Sequence, residues 1–560
     1  MGLGAPVSFA TNAQFIATLG VNTHMSQGYS PSEYSPLLTY LGVPNVRDQM
    51  TTLANYEALP AGTRICFCPG GGTAISDAIT LATGLANAGI LLAVEGANEP
   101  NNFPFTYNGT EGGDSTTWVP VADYQRDLYA AVKANGPTAN TPVFHTSETG
   151  AETNDVGMQW AVIPPGAGAL LPDGTVYADY CNVHNYVIGT ANTYIDNQAW
   201  FAAEPSTPDA GSSVDGFYAN CMQTWWAPSN AGYTTAQAAA GIPKVTTETG
   251  WDSVSNPGNY TPSQRIQGVV LVNTYLAQFA RGWSYTFIYE MVDGEGSSGN
   301  QGLFTSAYAP KLAATYIQTL TTILKNGMGG SFTPTEFGYT VSGAPSTVHY
   351  FLLQKNSAVY NLMIWGESAA GTVTDVTINF EVQVPLVNVF DVTAGTAATQ
   401  TATNASSLVV PLSDHALIVE LNTGAYMSGS TILTPYQVDA TLFQDGQPEG
   451  AIDPADVRQL NDSLAALPIS STQTGSYTFQ VIDRGCIVLF SSSNAGTFTV
   501  PANTFVTGSV VCCRAVLGGQ LTIAAGSGLT LSVPSTLTLT PVQYATVCIH
   551  FTSATTATLM

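Results

Sequence analysis

The chain has 560 residues, 45% of them hydrophobic and 9% charged, with 38 acidic against 13 basic side chains and a formal net charge of −25. That apolar content excludes global disorder, and the length suits about two to four domains rather than one. The negative field disfavours nucleic acid, anionic membranes and, at long range, polyanionic glycans, although a local basic pocket would override the last.

Met1-Gly2-Leu3-Gly4-Ala5-Pro6-Val7 carries neither a basic leader nor a long apolar run. The sequence as written therefore predicts no signal peptide and no membrane insertion. Action outside a cell then needs lysis, a particle or another route; otherwise the protein is cytoplasmic. From 15 to about 325, strand-like and helix-like runs alternate. Eight strands are expected at Phe15–Thr23, Val43–Arg47, Thr63–Cys68, Ile90–Glu95, Pro142–Thr146, Tyr180–Tyr186, Lys244–Thr247 and Tyr285–Met291. Helical patterns are clearest at Ala74–Ala88, Val121–Asn135, Pro262–Arg281 and Pro310–Lys325. In the third, Thr261 reads as the cap, Pro262 as the first helical residue and Gln264 as completing a capping box. This alternation predicts an α/β fold, a (β/α)8 TIM barrel over 1–328. A doubly wound open sheet is the alternative, but Pro69-Gly70-Gly71-Gly72 lacks dinucleotide-binding spacing and reads as a tight loop at the barrel mouth.

Short strands with turn signals then predict an antiparallel β-sandwich over 329–428. A linker with a short helix, Asp453–Leu467, fills 429–470, and 471–560 reads as a C-terminal all-β module without a strict repeat. None of the eight Cys is spaced for zinc. Cys66 and Cys68 share a strand face and read as buried thiols, while adjacent Cys512 and Cys513 face opposite ways and do not suit a mutual bridge.

Two acidic motifs carry the chemistry, Val94-Glu95-Gly96-Ala97-Asn98-Glu99-Pro100 and Val245-Thr246-Thr247-Glu248-Thr249-Gly250-Trp251. Each places a Glu where a β-branched run gives way to loop residues, at the C-terminal end of a strand, where parallel barrels hold their reactive groups. By strand count, Glu99 ends the fourth and Glu248 the seventh. Two convergent carboxylates can cleave a glycosidic bond, one as acid and base, the other as nucleophile. No Gly-x-Ser-x-Gly elbow, Walker motif or His-Glu-x-x-His is present, and this chemistry requires no metal and no cofactor.

Asn98-Glu99-Pro100 resembles the Asn-Glu-Pro motif of clan A of the glycoside hydrolases, and Glu248 in its setting is similar to that clan's strand-seven motif. The resemblance spans roughly 10–425 and implies a retaining hydrolase of β-linked oligo- or polysaccharides. It makes Glu99 the acid/base, Glu248 the nucleophile and Asn98 a partner of the sugar 2-hydroxyl. By position it also implies Arg47 and Tyr186 beside the nucleophile and His184 as a sugar contact. Trp251 reads equally as a sugar platform or as loop packing. The clan often has Trp where this chain has Tyr289-Glu290, so either residue is a candidate substitute. His24, ending strand one, lines the pocket or caps the rim. Glu148 in Ser147-Glu148-Thr149-Gly150 rivals Glu248 as nucleophile, and Glu95 is expected to face the barrel interior with partners.

Asp445–Glu449, Tyr477-Thr478-Phe479 and Gly526-Ser527-Gly528-Leu529-Thr530-Leu531 resemble modules of bacteriophage tail-associated proteins. That likeness implies a virion-borne polysaccharide depolymerase attached through the C-terminal module; the alternative for this region is a β-rich carbohydrate-binding or oligomerisation domain. Two other readings remain open, a non-catalytic glycan-binding protein and a structural virion protein on a barrel scaffold.

Overall fold

The computed structural model describes residues 10–424 and 469–559, except 101, 104, 114–116, 148–170, 173, 188–193, 204–242, 254–262, 297–298, 330–331, 517–518, 533–535 and 540–545. The chain divides into two compact units, Met1–Leu421 and Asn422–Met560. No helix among the described residues is long and apolar enough to cross a membrane.

Eight parallel strands form the heart of the first unit: β1 Leu19–Asn22, β2 Asn45–Gln49, β3 Arg64–Cys68, β4 Leu91–Glu95, β5 Val143–Phe144, β6 Cys181–His184, β7 Lys244–Thr249 and β8 Tyr285–Ile288. Their order around the sheet is β5-β4-β3-β2-β1-β8-β7-β6. One parallel bridge, Phe144 to Tyr180, joins the two ends into a ring. Strands covered on both faces have no solvent side: β1 and β7 are buried along their whole length, and the buried polar groups of Asn22, Thr246 and Thr247 are hydrogen-bonded. Cys66, Leu92, Ala93, Phe144, Val245 and Phe287 meet in one cluster drawn from strands around the ring. Gly20 in β1 is the residue that admits Phe287, because a Cβ there would lie 2.3 Å from the ring.

The helices of this unit include α1 Asn12–Ala17, α2 Pro31–Leu41, α3 Leu53–Glu57, α4 Ile75–Asn87, α5 Val119–Ala134, α6 Gln198–Ala202, α7 Gln264–Ala280 and α8 Leu312–Lys325. Local chemistry sets their ends. Ser30 and Glu33 form a reciprocal capping box at the start of α2, and Gly42 ends it in the left-handed conformation. A similar box between Thr11 and Gln14 claims Phe15 for α1, so the first strand begins at Leu19 rather than at Phe15. The cap of α7 is Ser263, whose hydroxyl accepts from Ile266 N; Thr261 and Pro262 lie outside the described residues. A hairpin of Phe105–Tyr107 and Thr110–Gly112 follows β4 and was not expected.

After the barrel come β9 Tyr339–Ser342, β10 Val348–Asn356, β11 Val359–Gly366, β12 Thr374–Asp391, β13 Ala398–Leu412 and β14 Ala416–Asn422. They form one six-stranded sheet, ordered β9-β12-β14-β11-β10 with β13 against β12. Its Phe351, Leu353, Met363 and Trp365 belong to the same apolar core as the barrel helices, which is why barrel and sheet make one unit. Arg265 of α7 reinforces the join through two hydrogen bonds to Asp414, at 2.6 and 2.8 Å.

The second unit contains β15 Ile469–Gln473, β16 Tyr477–Thr478, β17 Ile487–Phe490, β18 Gly496–Val500, β19 Val510–Ala515, β20 Leu521–Ala525, β21 Thr530–Ser532, β22 Thr536–Leu539, β23 Thr546–Ser553 and β24 Thr556–Leu559. Successive strands alternate between two sheets, so β15, β17 and β19 stack in parallel, as do β16, β18 and β20. The chain thus winds as a two-sheet coil around Phe479, Phe490, Phe498, Val511 and Ile549. Cys512 and Cys548, opposite each other on antiparallel β19 and β23, form a disulfide. Cys66, Cys68, Cys486 and Cys513 are free thiols. The expected helix Asp453–Leu467 lies outside the described residues.

Candidate active site

The C-terminal ends of the barrel strands converge on a cavity of about 370 Å3 lined by Asn22, Arg47, Asn98, Glu99, Tyr186 and Glu248, with His24, Phe103 and Tyr289 at its walls. Arg47, projecting from β2, organises the floor. It is 4% exposed, and each of its N–H groups has an acceptor. Nε donates to Glu95 Oε2 at 2.7 Å, and Nη2 to Glu95 Oε1 at 2.8 Å and Asn98 Oδ1 at 2.7 Å. Nη1 donates to Glu248 Oε1 at 2.5 Å and Asn22 Oδ1 at 3.1 Å. Burial works against the guanidinium charge, but Glu95 and Glu248 hold its pKa well above the ordinary value. The converse holds for Glu95: burial opposes its ionisation, and Arg47 outweighs burial to keep it below the usual carboxylate range.

Glu248 closes the other side. Its Oε2 accepts from the Tyr186 hydroxyl at 2.7 Å. Burial and then the charges of Glu248 and Glu99 push the Tyr186 phenol far up, so it remains a donor. Gly250, two residues on, must lack a side chain, since a Cβ would sit 2.5 Å from Tyr289 O.

Glu99 sits in the loop after β4 with φ +41°, in the left-handed region. Such a conformation costs a non-glycine residue about 1–3 kcal/mol and persists only where its surroundings fix it. Here Glu99 N donates to Ser147 O at 3.0 Å, and Glu99 O accepts from Asn102 N and Phe103 N, both at 2.8 Å. The carboxylate is aimed at His184, with Oε1 2.5 Å from Nδ1, while Oε2 accepts from Asn102 Nδ2 at 2.9 Å.

The partners of Thr247 fix the proton on His184. Its Oγ1 lies 3.0 Å from Glu95 Oε1 and 3.1 Å from His184 Nε2. Ionised Glu95 is the strongest acceptor in reach, so Thr247 donates to it and accepts from Nε2–H. Nδ1 of a neutral His184 is then an acceptor, and its short contact with Glu99 holds one proton between the two groups.

One donor atom each from Glu99, His184 and Glu248 falls within 4.8 Å of the other two. The three can in principle ligate a metal. Two ligands of one zinc ion, however, stand roughly 3.3 Å apart, so the 2.5 Å contact of Glu99 with His184 has the spacing of a shared proton. Two carboxylates this close, one beside a proton and one beside a cation, have the arrangement needed for displacement at a glycosidic carbon.

The remaining candidates divide. Asn98, Arg47, Tyr186, Tyr289 and His24 line the cavity, and His184 lies directly behind Glu99 and Glu248. Trp251 does not line it; the ring is 1% exposed and packs edge-on to Tyr194. Glu290 is also behind the wall, fully buried, accepting from Gly296 N at 2.7 Å. Glu95 faces inward and is paired. Glu148 lies outside the described residues. Sequence reasoning missed Asn22, Thr247, Asn102 and Phe103. Only their positions at strand ends or just after Asn98-Glu99-Pro100 pointed to them.

No family model matches the chain, and no curated protein does. In structure it is similar to a family 39 glycoside hydrolase from the gut symbiont Bacteroides cellulosilyticus WH2, at 15% identity over 74% of this chain and 82% of that one, TM-score 0.45. It is also similar to a GH30 endoxylanase from Clostridium papyrosolvens C71, at 13% identity over 75% and 98%, TM-score 0.44. A third likeness is to a glucosidase from Croceicoccus marinus, at 10% identity over 75% and 97%, TM-score 0.45. At such scores these likenesses assign no activity.

Proposed function

We propose that the protein is a retaining glycoside hydrolase of β-linked glycans. The observation that carries this reading is the approach of Glu99 and Glu248, with carboxylate oxygens within 4.8 Å. Retaining enzymes need a gap of roughly 5–5.5 Å, whereas inversion needs roughly 6.5–9.5 Å to admit a water. Glu248, which accepts hydrogen bonds from Arg47 and Tyr186, attacks the anomeric carbon. Glu99 gives its proton to the leaving oxygen, then takes one from the water that releases the glycosyl-enzyme. His184 positions Glu99 and accepts or returns the proton they share. Asn98, oriented by Arg47, is placed for the sugar 2-hydroxyl. The idea that the C-terminal coil mounts the enzyme on a virion rests on its sequence likeness to tail modules alone.

The test is hydrolysis of a panel of β-linked glycans, with the first-formed anomer followed by NMR. Release of the β anomer, lost in both Glu99→Gln and Glu248→Gln, is the expected result. An α anomer formed first, or turnover unchanged in Glu248→Gln, would sink the reading. Binding without cleavage by the wild type would make the protein a glycan-binding one.

A further inference from the structure

The same cavity specifies the charge of its substrate, an argument that rests on the hydrolase reading above. The segments that follow the eight barrel strands, residues 23–30, 50–52, 69–74, 96–118, 145–180, 185–243, 250–263 and 289–310, contain no Lys and no Arg. The barrel's basic residues lie outside these segments, Lys311 just past the last of them, with its Nζ engaged by Asp293 Oδ1 and Asn300 O, both at 2.9 Å. Arg64 and Lys244 open their strands at the opposite end, and Lys133 and Lys325 close helices and donate to backbone carbonyls. Among the described residues, Arg47 alone brings a Lys or Arg side chain to the cavity. All five of its N–H donors are spent on Glu95, Glu248, Asn22 and Asn98. His24 also lines the wall, but its Nδ1 stands 3.8 Å from Glu295 Oε2 and 4.0 Å from Glu290 Oε2. A proton there meets two carboxylates already in place.

Besides the carboxylates of Asp48, Glu99 and Glu248, what the wall offers a ligand among the described residues is uncharged: the amides of Gln27, Gln49 and Gln301, the hydroxyl of Ser26, and Phe103, whose ring is 57% exposed. We infer that the site takes uncharged sugar units and rejects carboxylated, sulfated or phosphorylated ones on either side of the cleaved bond. A substrate anion would lose its water without gaining a cation, beside Glu99 and Glu248. Sugar hydroxyls match the amides, and an apolar sugar face matches Phe103.

The test uses the full chain and polymers paired by backbone: hydroxyethyl- and carboxymethyl-cellulose, plain and carboxymethylated curdlan, and linear and glucuronic-acid-bearing xylan. Turnover is read by reducing ends, and retention in affinity electrophoresis is read with Glu248→Gln. The neutral member of at least one pair should be cut and retained about 100-fold better than its anionic counterpart. Gln27→Lys, a change at an exposed rim position, should narrow that gap by adding one cation. Equal or better handling of the anionic member, retention of no neutral polymer, or a gap untouched by Gln27→Lys overturns the inference. Retention of neutral polymers by Glu248→Gln with no turnover by the wild type would sink the hydrolase reading and leave this one standing.

Discussion

The barrel and the C-terminal coil both rest on parallel strands, and they spend them differently. In the barrel, the strands end together at one mouth and bring Arg47, Glu95, Glu99, His184 and Glu248 into a single hydrogen-bonded network. In the coil, strands alternate between two sheets around an apolar core, and the one covalent feature is a cross-strand disulfide. The difference teaches where reactive groups can collect. A closed parallel sheet aims every strand end at one point, whereas a coil spreads its turns along its length.

The sharpest way to break this contrast is Glu248→Gln, expected to cost on the order of 10^4-fold or more in kcat. Glu99→Gln should cost less with activated aryl glycosides, because a good leaving group needs little protonation. Equal losses across leaving groups would deny Glu99 the acid role. Next comes Arg47→Met, which leaves Glu95 buried without its cation and should destabilise the barrel unit by about 3–5 kcal/mol in urea unfolding, with the coil's transition unmoved. Replacing Cys512 and Cys548 by Ala removes a link across 36 residues and should cost the coil roughly 2–4 kcal/mol, with turnover unchanged. A fall in turnover would couple two regions that the contrast treats as separate.

The smallest effect is one of pH. Burial lowers the pKa of His415, but Asp391 and Asp414 outweigh it and push it up to about 9. A raised histidine pKa contributes stability that is complete below about 6.5 and lost as pH rises through about 9. Barrel-unit stability should therefore decline between those values, and His415→Gln should flatten the decline. An unchanged slope in the variant would remove His415 as its source.

How much of this was legible in the sequence follows from the same contrast. The barrel's strands and long helices could be placed because each crossover switches the apolar period from strand to helix, as between Ile90–Glu95 and Val121–Asn135. Glu99 and Glu248 could be read because both sit where that period stops. Trp251 was ambiguous because a Trp after a strand packs inward as readily as outward, and only the fold places it against Tyr194. Phe15 read as strand because Thr11 and Gln14 act through a reciprocal hydrogen bond that hydrophobic period does not reveal. The coil stayed hidden for a different reason. Its turns differ in length, with the backbone of Ile469 in register with Ile487 but that of Ile487 with Cys512, so no fixed repeat is present. The alternating Thr and Val of its strands look the same whether neighbours run parallel or antiparallel.

One join in the ring has its own consequence. β2 and β3 are paired over five residues, but β5 has two residues and, among the described residues, meets the β6 side through one bridge, Phe144–Tyr180, and the backbone bond of Asp179 N to Val143 O at 2.8 Å. There the amide of His145 donates to Tyr180 O at 2.9 Å. In deuterium exchange that amide should open sooner than those of Val46 and Ile65, and equal protection would show the join to be as firm as the rest. A ring unclasped at this point becomes a strip with two bare borders, each able to pair with another chain. Self-association on heating should therefore begin at this join, on the far side of the ring from β1.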